Sequence, residues 1–579
     1  MSGHIAPTNC DVIVIGGGDN GLLCASYLAK LGARTLLVER HKSSGAAGNL
    51  DTPAFQGPYR FDLLPPHMIV MGERAPCHSD LDLAAQGLAY VTPPVQIAFH
   101  SKDDRALVLH QDPVKSAKAI ARFNAGDAGR FLAMYAEVQQ LCERILLPAL
   151  YATEGGRGVA AQLGSTNLGK RLAALSAMTP IEIVDEHGFE SPMVREALLY
   201  LATFWGLDPH TAGVGHIPLL WIHAQLNVSI ARSGNLAPAR AFYQTLLENG
   251  GDYVDSARVD RILIENGRAA GVRLTDGREI HADAVVSALG VAETFLDMVG
   301  APHLSSSLSD ASQNWEWQDT SLLSCHFGYK GEAPSYRAAA YDPDTDQAYL
   351  HVFGIEARGD VEALRRSLLR GAIPEGHGRA TCLTQFDPLH AGFGQVYGPL
   401  QTLRFEMPVP ARLRSGVWSE LRGACQEAAL DLWRRYADRV VDGDLSYAMV
   451  VTPDDLQQRL PSYKHGSYLG GEFTPRRAGL AQTPSACSDY RSEIPSLYLA
   501  GASTHGGGLI HFAAGYNAAR AVAQDLLLAS DFEEPVTVRV ARAAGYLPEA
   551  EPRSAVDRAR NTSVSSDFDS AATTNGASL

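Results

Sequence analysis

Asp11-Val12-Ile13-Val14-Ile15-Gly16-Gly17-Gly18-Asp19-Asn20-Gly21 is the stretch that decides the reading. Its first five residues form a short, unbroken apolar run, the pattern of a parallel strand buried on both faces. Gly16, Gly18 and Gly21 then fall on a G-x-G-x-x-G spacing. Leu22 to Leu31 reads as a helix, with Gly32 where a helix C-cap would stand, and Thr35-Leu36-Leu37-Val38 reads as a second strand leading to Glu39. The glycine pattern alone is weak. Between a strand and a helix, with an acid 18 residues past Gly21, it reads as a βαβ dinucleotide cradle. Gly16 permits the tight turn, Gly18 lets backbone approach a pyrophosphate, and Gly21 allows close helix–strand packing. The helix start offers free N–H groups and the positive end of its dipole to phosphates. Glu39 is placed to accept hydrogen bonds from the adenosine ribose, and an acid there disfavours a 2′-phosphate.

Outward from this unit, residues 112–205 are expected to be mostly helical, and a further helix is expected over Ser233 to Glu248. Val259 to Ile264, the turn Glu265-Asn266-Gly267 and Ala270 to Leu274 form a hairpin signal, because Asn-Gly suits the left-handed conformations of a two-residue turn. Asp276-Gly277 and the apolar run Ala284 to Ala288 continue the meander. Residues 320–410 alternate in β fashion and carry many aromatics, which reads as sheet core, and a helix follows near 418–437. Leu497-Tyr498-Leu499-Ala500 is a last strand, followed by a glycine-rich loop and a helix over about 511–528. Past 545 the chain turns rich in Ser, Ala, Thr, Asp and Arg, which predicts a disordered tail over 545–579.

Composition narrows the function class. The 579 residues suggest three or four domains. The formal charge of −15 argues against nucleic acid as the main partner. The eight cysteines make no C-x-x-C or metal spacing, so neither a disulfide scaffold nor a zinc site is expected, and a reducing cytoplasmic compartment is the expectation. The first ten residues lack a basic start and an apolar core, so no secretory signal is read there. No run of 18 apolar residues predicts a membrane span.

The C-terminal segment separates FAD from NAD. After Leu499-Ala500-Gly501-Ala502-Ser503 comes Thr504-His505-Gly506-Gly507-Gly508 and then a helix start. A flavin dinucleotide is long and needs a second backbone contact along its ribityl arm. A positive helix end near the pyrimidine side of the ring would stabilise negative charge on the reduced flavin. With these two ends together, the chain resembles the carotenoid desaturase-like branch of the flavin amine oxidase superfamily. The likeness runs through 11–62, 233–299 and 452–525. It implies an α/β fold: a Rossmann-type FAD-binding domain over 1–95, 230–300 and 450–530, with an interwoven α+β substrate domain and helical cap over 96–229 and 301–449. Gly16, Gly18, Asn20, Gly21, Glu39 and Arg40 match the family's dinucleotide loop and ribose end. Gly45, Ala46 and Ala47 match its second pyrophosphate turn. His67 belongs to the segment leading to the flavin face, and Val259 matches the residue whose backbone meets adenine. Gly501, Ala502, Ile510 and His511 match its C-terminal flavin contacts. Asp19, Ser44, Gly48 and Leu509 depart from the usual residues, as does the stretch 383–413.

The expected activity is dehydrogenation or desaturation of an apolar organic substrate by hydride transfer to non-covalent FAD, since the C-terminal flavin loop carries no cysteine. A carotenoid-like polyene and a smaller alicyclic compound are the rival substrates. Flavin-dependent ketolation or isomerisation is an alternative reaction, and a non-catalytic FAD-binding partner protein is the alternative of another class. A polyene would imply weak peripheral membrane contact, although the charge of −15 and the lack of a basic amphipathic helix do not favour it. His505 and His511 are the candidates for catalytic acid or base, each weighed against a role in holding the loop. Phe204, Trp205 and Trp221 are candidate substrate-lining residues, weighed against aromatic core.

Overall fold

A computed structural model describes residues 9–42, 59–152, 155–391, 399–440, 445–474, 487, 489–505, 508–509, 511–528 and 532–549. Gly45, Ala46, Ala47 and Ile510 lie outside the described residues, as do Ser44, Gly48 and the tail from 550 on.

The opening strand, Asn9–Ile15, is central to a seven-stranded sheet. It pairs parallel with Thr35–Val38 on one side and with Glu279–Ser287 on the other. Its apolar run has to be continuous because both faces are buried: Val12 and Val14 enter one core cluster, Ile13 and Ile15 another. Asp252–Val254 extends the sheet beyond Thr35–Val38, also in parallel. At the other side the hairpin Val259–Glu265 and Arg268–Leu274 joins Glu279–Ser287 antiparallel. Its turn residues Asn266 and Gly267 have φ of 49° and 77°, the left-handed pair that the Asn-Gly signal demands. The late strand Leu497–Leu499 lies parallel to residues 285–287. The helix Asp19–Lys30 packs between Leu236–Glu248 and Ala513–Asp525. Gly32 follows its C-cap with φ 91°.

A second seven-stranded sheet runs in the order Leu445–Val451, Thr320–Lys330, Leu400–Pro410, Gly378–Cys382, Leu350–Phe353, Val95–His100 and Ala106–His110. One face buries an aromatic core of Phe327, Phe353, Phe405 and Trp433, covered by the helix Trp418–Arg434. The stretch 320–410 is therefore sheet, as its alternation suggested. It is interrupted by a helix at Asp360–Leu369, whose first-turn acids Asp360 and Glu362 and buried Val361, Leu364 and Leu368 follow a helical period. Helices dominate from Pro113 to Gln225, in line with the Leu, Ala and Met spacing there.

Candidate functional site

The glycine loop sits at the carboxyl ends of the parallel strands, where an open α/β sheet binds ligands. Gly16 N–H donates to the Val38 carbonyl at 2.9 Å, and Gly17 N–H to Glu39 Oε2 at 2.6 Å. Glu39 Oε1 accepts from His41 N–H at 2.8 Å, so this buried carboxylate is held by backbone on both oxygens.

The glycines are small for different reasons. A Cβ on Gly21 would overlap the Gly16 carbonyl oxygen, and one on Gly501 would overlap that of Leu289. These two are fixed by the protein's own packing. A Cβ on Gly18 would meet nothing within 4 Å among the described residues, and Gly18 has φ −71°, open to any residue. The space beside Gly18 fits a ligand that must approach the backbone, as a pyrophosphate does.

That space belongs to a cleft of about 470 Å³ lined by Gly16, Gly18, Glu39, Arg40, Val259 and Tyr463, among others. A narrower cavity lined by Gly18, Asn20, Gly21, Ala502, Leu509 and Phe512 continues from it. Gly18, Ala288, Leu460 and Tyr463 line both, so the cleft beside Glu39 and the cavity beside the C-terminal loop form one channel. Two of its walls were not legible in advance. Leu460 and Tyr463 come from the segment after Pro453–Arg459, and Leu64 and Met68 from the loop that carries His67. At the outer end Arg40 Nη2 donates to the Arg459 carbonyl at 2.9 Å, and Arg459 Nη1 meets His41 Nδ1 at 3.0 Å. Arg40 is thus engaged with the chain beside Glu39. Asp19 lines the narrower cavity, and burial pushes its carboxyl up to about 7.

The C-terminal loop is tied to both flanks. Asn20 Oδ1 accepts from Gly515 N–H at 3.2 Å, and Ala500 N–H donates to the Ser287 carbonyl at 2.8 Å. His505 Nε2 lies 2.8 Å from the Ala149 carbonyl. His511 Nδ1 accepts from Ala513 N–H at 3.2 Å at the start of the last long helix, and its carbonyl accepts from Tyr151 Oη. Both rings are buried and bonded into the loop's supports.

Met68 lines the narrower cavity, and its neighbour His67 is not among the lining residues. Its ring stacks on Trp205 at 5.4 Å and stands edge-on to Phe204 at 5.6 Å. Trp205 and Phe204 therefore meet the segment leading to the cleft, whereas Trp221 packs on Phe473 from the helix His216–Gln225. Beneath this aromatic group lies a feature that the sequence reading did not single out. Arg379, Arg404 and Glu406 are 0%, 3% and 2% exposed. Arg379 Nε donates to Glu406 Oε2 at 2.6 Å, and Arg404 Nε to Oε1 at 2.5 Å. Arg404 Nη1 also donates to the Asp62 carbonyl at 2.6 Å, clamping the His67 loop to the second sheet. Burial opposes ionisation of Glu406, but Arg379 and Arg404 hold its carboxyl well below the usual range. Burial pushes His67 down to about 3, so its ring is neutral, and pushes Asp62 up to about 7. The available signal was Arg404-Phe405-Glu406, two charges on one face of a largely buried strand.

Among known families, the NAD(P)-binding Rossmann-like domain matches residues 14–81, and the flavin containing amine oxidoreductase family matches 117–527. A subunit of the limonene dehydrogenase of Castellaniella defragrans is 33% identical, over 93% of this chain and 99% of its own. A neurosporene-forming phytoene desaturase of Rhodobacter capsulatus is 24% identical, over 86% of this chain and 90% of its own. In fold, the chain is similar to cyclohexylamine oxidase from Brevibacterium oxydans, with TM-score 0.54 and 17% identity over 90% of this chain and 99% of that one.

Proposed function

This chain belongs to the flavin containing amine oxidoreductase family, and on that premise we propose that it is an FAD-dependent dehydrogenase of an apolar organic substrate, with the flavin held non-covalently. The observation that carries the reading is the continuous channel from Glu39 past Gly18 to Leu509 and Phe512. Its glycine loop in the middle, with Glu39 at one end and the C-terminal loop at the other, supports an extended dinucleotide over a compact ligand. Bound FAD would supply a hydride acceptor.

The chain's own residues do the rest. Gly16, Gly18, Asn20 and Gly21 would face the diphosphate with backbone N–H groups, with Glu39 and Arg40 at the ribose and Val259 at the adenine. Gly501 and Ala502 would border the ribityl arm. The large buried apolar core around Phe204, Trp205, Tyr200 and Tyr468 would keep water from the reacting carbon. His505 and His511 stand at this end as candidates for proton transfer. Their existing bonds to Ala149 and Ala513 give them loop positioning as their first role. No cysteine lines the channel among the described residues, which supports non-covalent attachment.

The relatives named for limonene and phytoene support a hydrocarbon-like substrate, cyclic or polyene, over an amine. Anaerobic mixing of the flavin-loaded protein with limonene, a carotenoid precursor polyene and cyclohexylamine tests this, with flavin absorbance as the readout. Bleaching by either hydrocarbon and not by the amine is the expected result. Bleaching by the amine alone would reverse the assignment. A flavin that none of the three reduces would favour a non-catalytic binding role.

A further inference from the structure

Among the described residues, Asp19 is the one acid that lines the narrower cavity. It stands between Gly18 and Asn20 as the first residue of the helix Asp19–Lys30. Its Oδ1 is buried and has no hydrogen-bond partner in the chain. A carboxylate in the first turn of a helix normally accepts backbone N–H groups or faces a cation. Asp19 has neither. No side-chain cap bond forms at this helix start, and no Lys, Arg or His is among the described residues that line the cavity. The arginines of the channel, Arg40, Arg258 and Arg459, line the wider cleft instead.

The ionisable groups around Asp19 leave its charge uncompensated. Tyr463, from the facing segment, and Tyr90, from the strand Tyr90–Val91, both feel its charge, and burial holds both phenols neutral. The loop of Leu64 and Met68 also carries Asp62 and His67, and the segment of Phe512 carries His511, whose Nδ1 accepts from Ala513 N–H. Burial alone shifts the Asp19 carboxyl, and it shifts it up to about 7. A diphosphate bound beside Gly18 would add like charge next to this acid and disfavour its ionised form further. Diphosphate oxygens are acceptors only. A carboxylate would repel them, whereas a protonated carboxyl has an O–H to donate.

We propose that Asp19 meets the dinucleotide as a neutral acid, its O–H donated to a diphosphate oxygen, so that cofactor loading takes up a proton from solvent. The inference rests on the FAD reading and deepens it, because it makes loading of the apoprotein depend on pH through one side chain. At a pH where the empty site is ionised, one proton enters with each cofactor. Where the empty site is already protonated, none does.

Titration of the apoprotein with FAD from about pH 6 to about pH 8.5, read by flavin fluorescence, tests this. The FAD diphosphate stays ionised throughout that range. The dissociation constant is expected to be flat near pH 6 and to rise about ten- to thirtyfold by pH 8.5, the linkage of one group titrating near 7. Asp19→Asn keeps a neutral donor and should bind FAD with an affinity independent of pH. Asp19→Leu lacks the donor and should bind about three- to tenfold more weakly than the parent at pH 6, the effect of one lost hydrogen bond, again without pH dependence. Calorimetry of the unmodified protein in two buffers of different ionisation enthalpy needs no variant. It should show close to one proton taken up per FAD at pH 8.5 and close to none at pH 6. A pH-independent dissociation constant in the parent would overturn the inference. So would a pH-dependent rise that persists in Asp19→Asn, which would move the titration to another group such as Asp62. Binding that tightens as pH rises and is lost to EDTA would overturn it in favour of a carboxylate holding a cation. Each of these results leaves the FAD reading standing, whereas failure to bind FAD at every pH would overturn both.

Discussion

The channel and the buried charge cluster both draw on one short loop, yet they are built by different means. The channel is built around a backbone loop. Gly16, Gly18 and Gly21 hold open a space at the strand ends, and Glu39 serves to organise N–H groups. The cluster is made of residues from four distant places: Asp62 to His67, Phe204 and Trp205, Arg379, and Arg404 to Glu406. A backbone site depends on where small residues stand in the chain. A side-chain site depends on which residues the fold brings together.

The sharpest way to break this contrast uses two glycines three residues apart. Gly21→Val is expected to abolish flavin content and to lower the melting temperature strongly, because its Cβ overlaps the Gly16 carbonyl. Gly18→Val should abolish flavin content while leaving the melting temperature of the apoprotein unchanged, because nothing among the described residues lies within 4 Å of that Cβ. Equal destabilisation of the two apoproteins would mean that both glycines serve packing alone.

The cluster is tested next. Glu406→Gln strands two buried guanidiniums and should cost about 3–5 kcal/mol in denaturant unfolding, the usual penalty for breaking a buried ion pair. A loss below about 1 kcal/mol would place the pair at a surface in solution. Glu39→Ala should weaken flavin binding by about 1.5–3 kcal/mol through lost charge-assisted hydrogen bonds. Titration of the apoprotein with FAD checks it, and an unchanged dissociation constant would remove Glu39 from the ribose.

The smallest effect is one of pH. His67 is held neutral down to about 3 in the folded chain, whereas an unfolded histidine takes up a proton near 6.5. Between these values the unfolded state binds more protons, so this group lowers stability as pH falls, with a slope of at most about 1.4 kcal/mol per pH unit. His67→Gln should flatten the stability profile between pH 6.5 and 5. A profile with unchanged slope would mean that His67 titrates normally.

The same contrast explains what could be read from the sequence. The strand Asn9–Ile15, the glycine loop, the second strand and the Asn266-Gly267 turn declared themselves because each is specified by residues a few positions apart. The channel's floor followed from them. Its lid residues Leu460 and Tyr463 did not, since an apolar residue after a short helix carries no local mark of facing a cofactor. Arg379 and Glu406 were hidden for the same reason: they are 27 residues apart in the chain and adjacent only through strand register, with Arg379 opposite Glu406 across the sheet. Trp205 and Trp221 looked alike as candidates, and only packing separates them, one on His67 and the other on Phe473.

The hydrogen bond from Gly515 to Asn20 spans 495 positions. During synthesis the glycine loop leaves the ribosome early, and the segment that completes its far wall follows only after all of those positions have been made. A nascent chain stopped before Leu497 would carry the whole glycine signature and still lack the strand and helix that close the pocket. The wall that closes the channel is therefore complete only once synthesis has passed through Asp525.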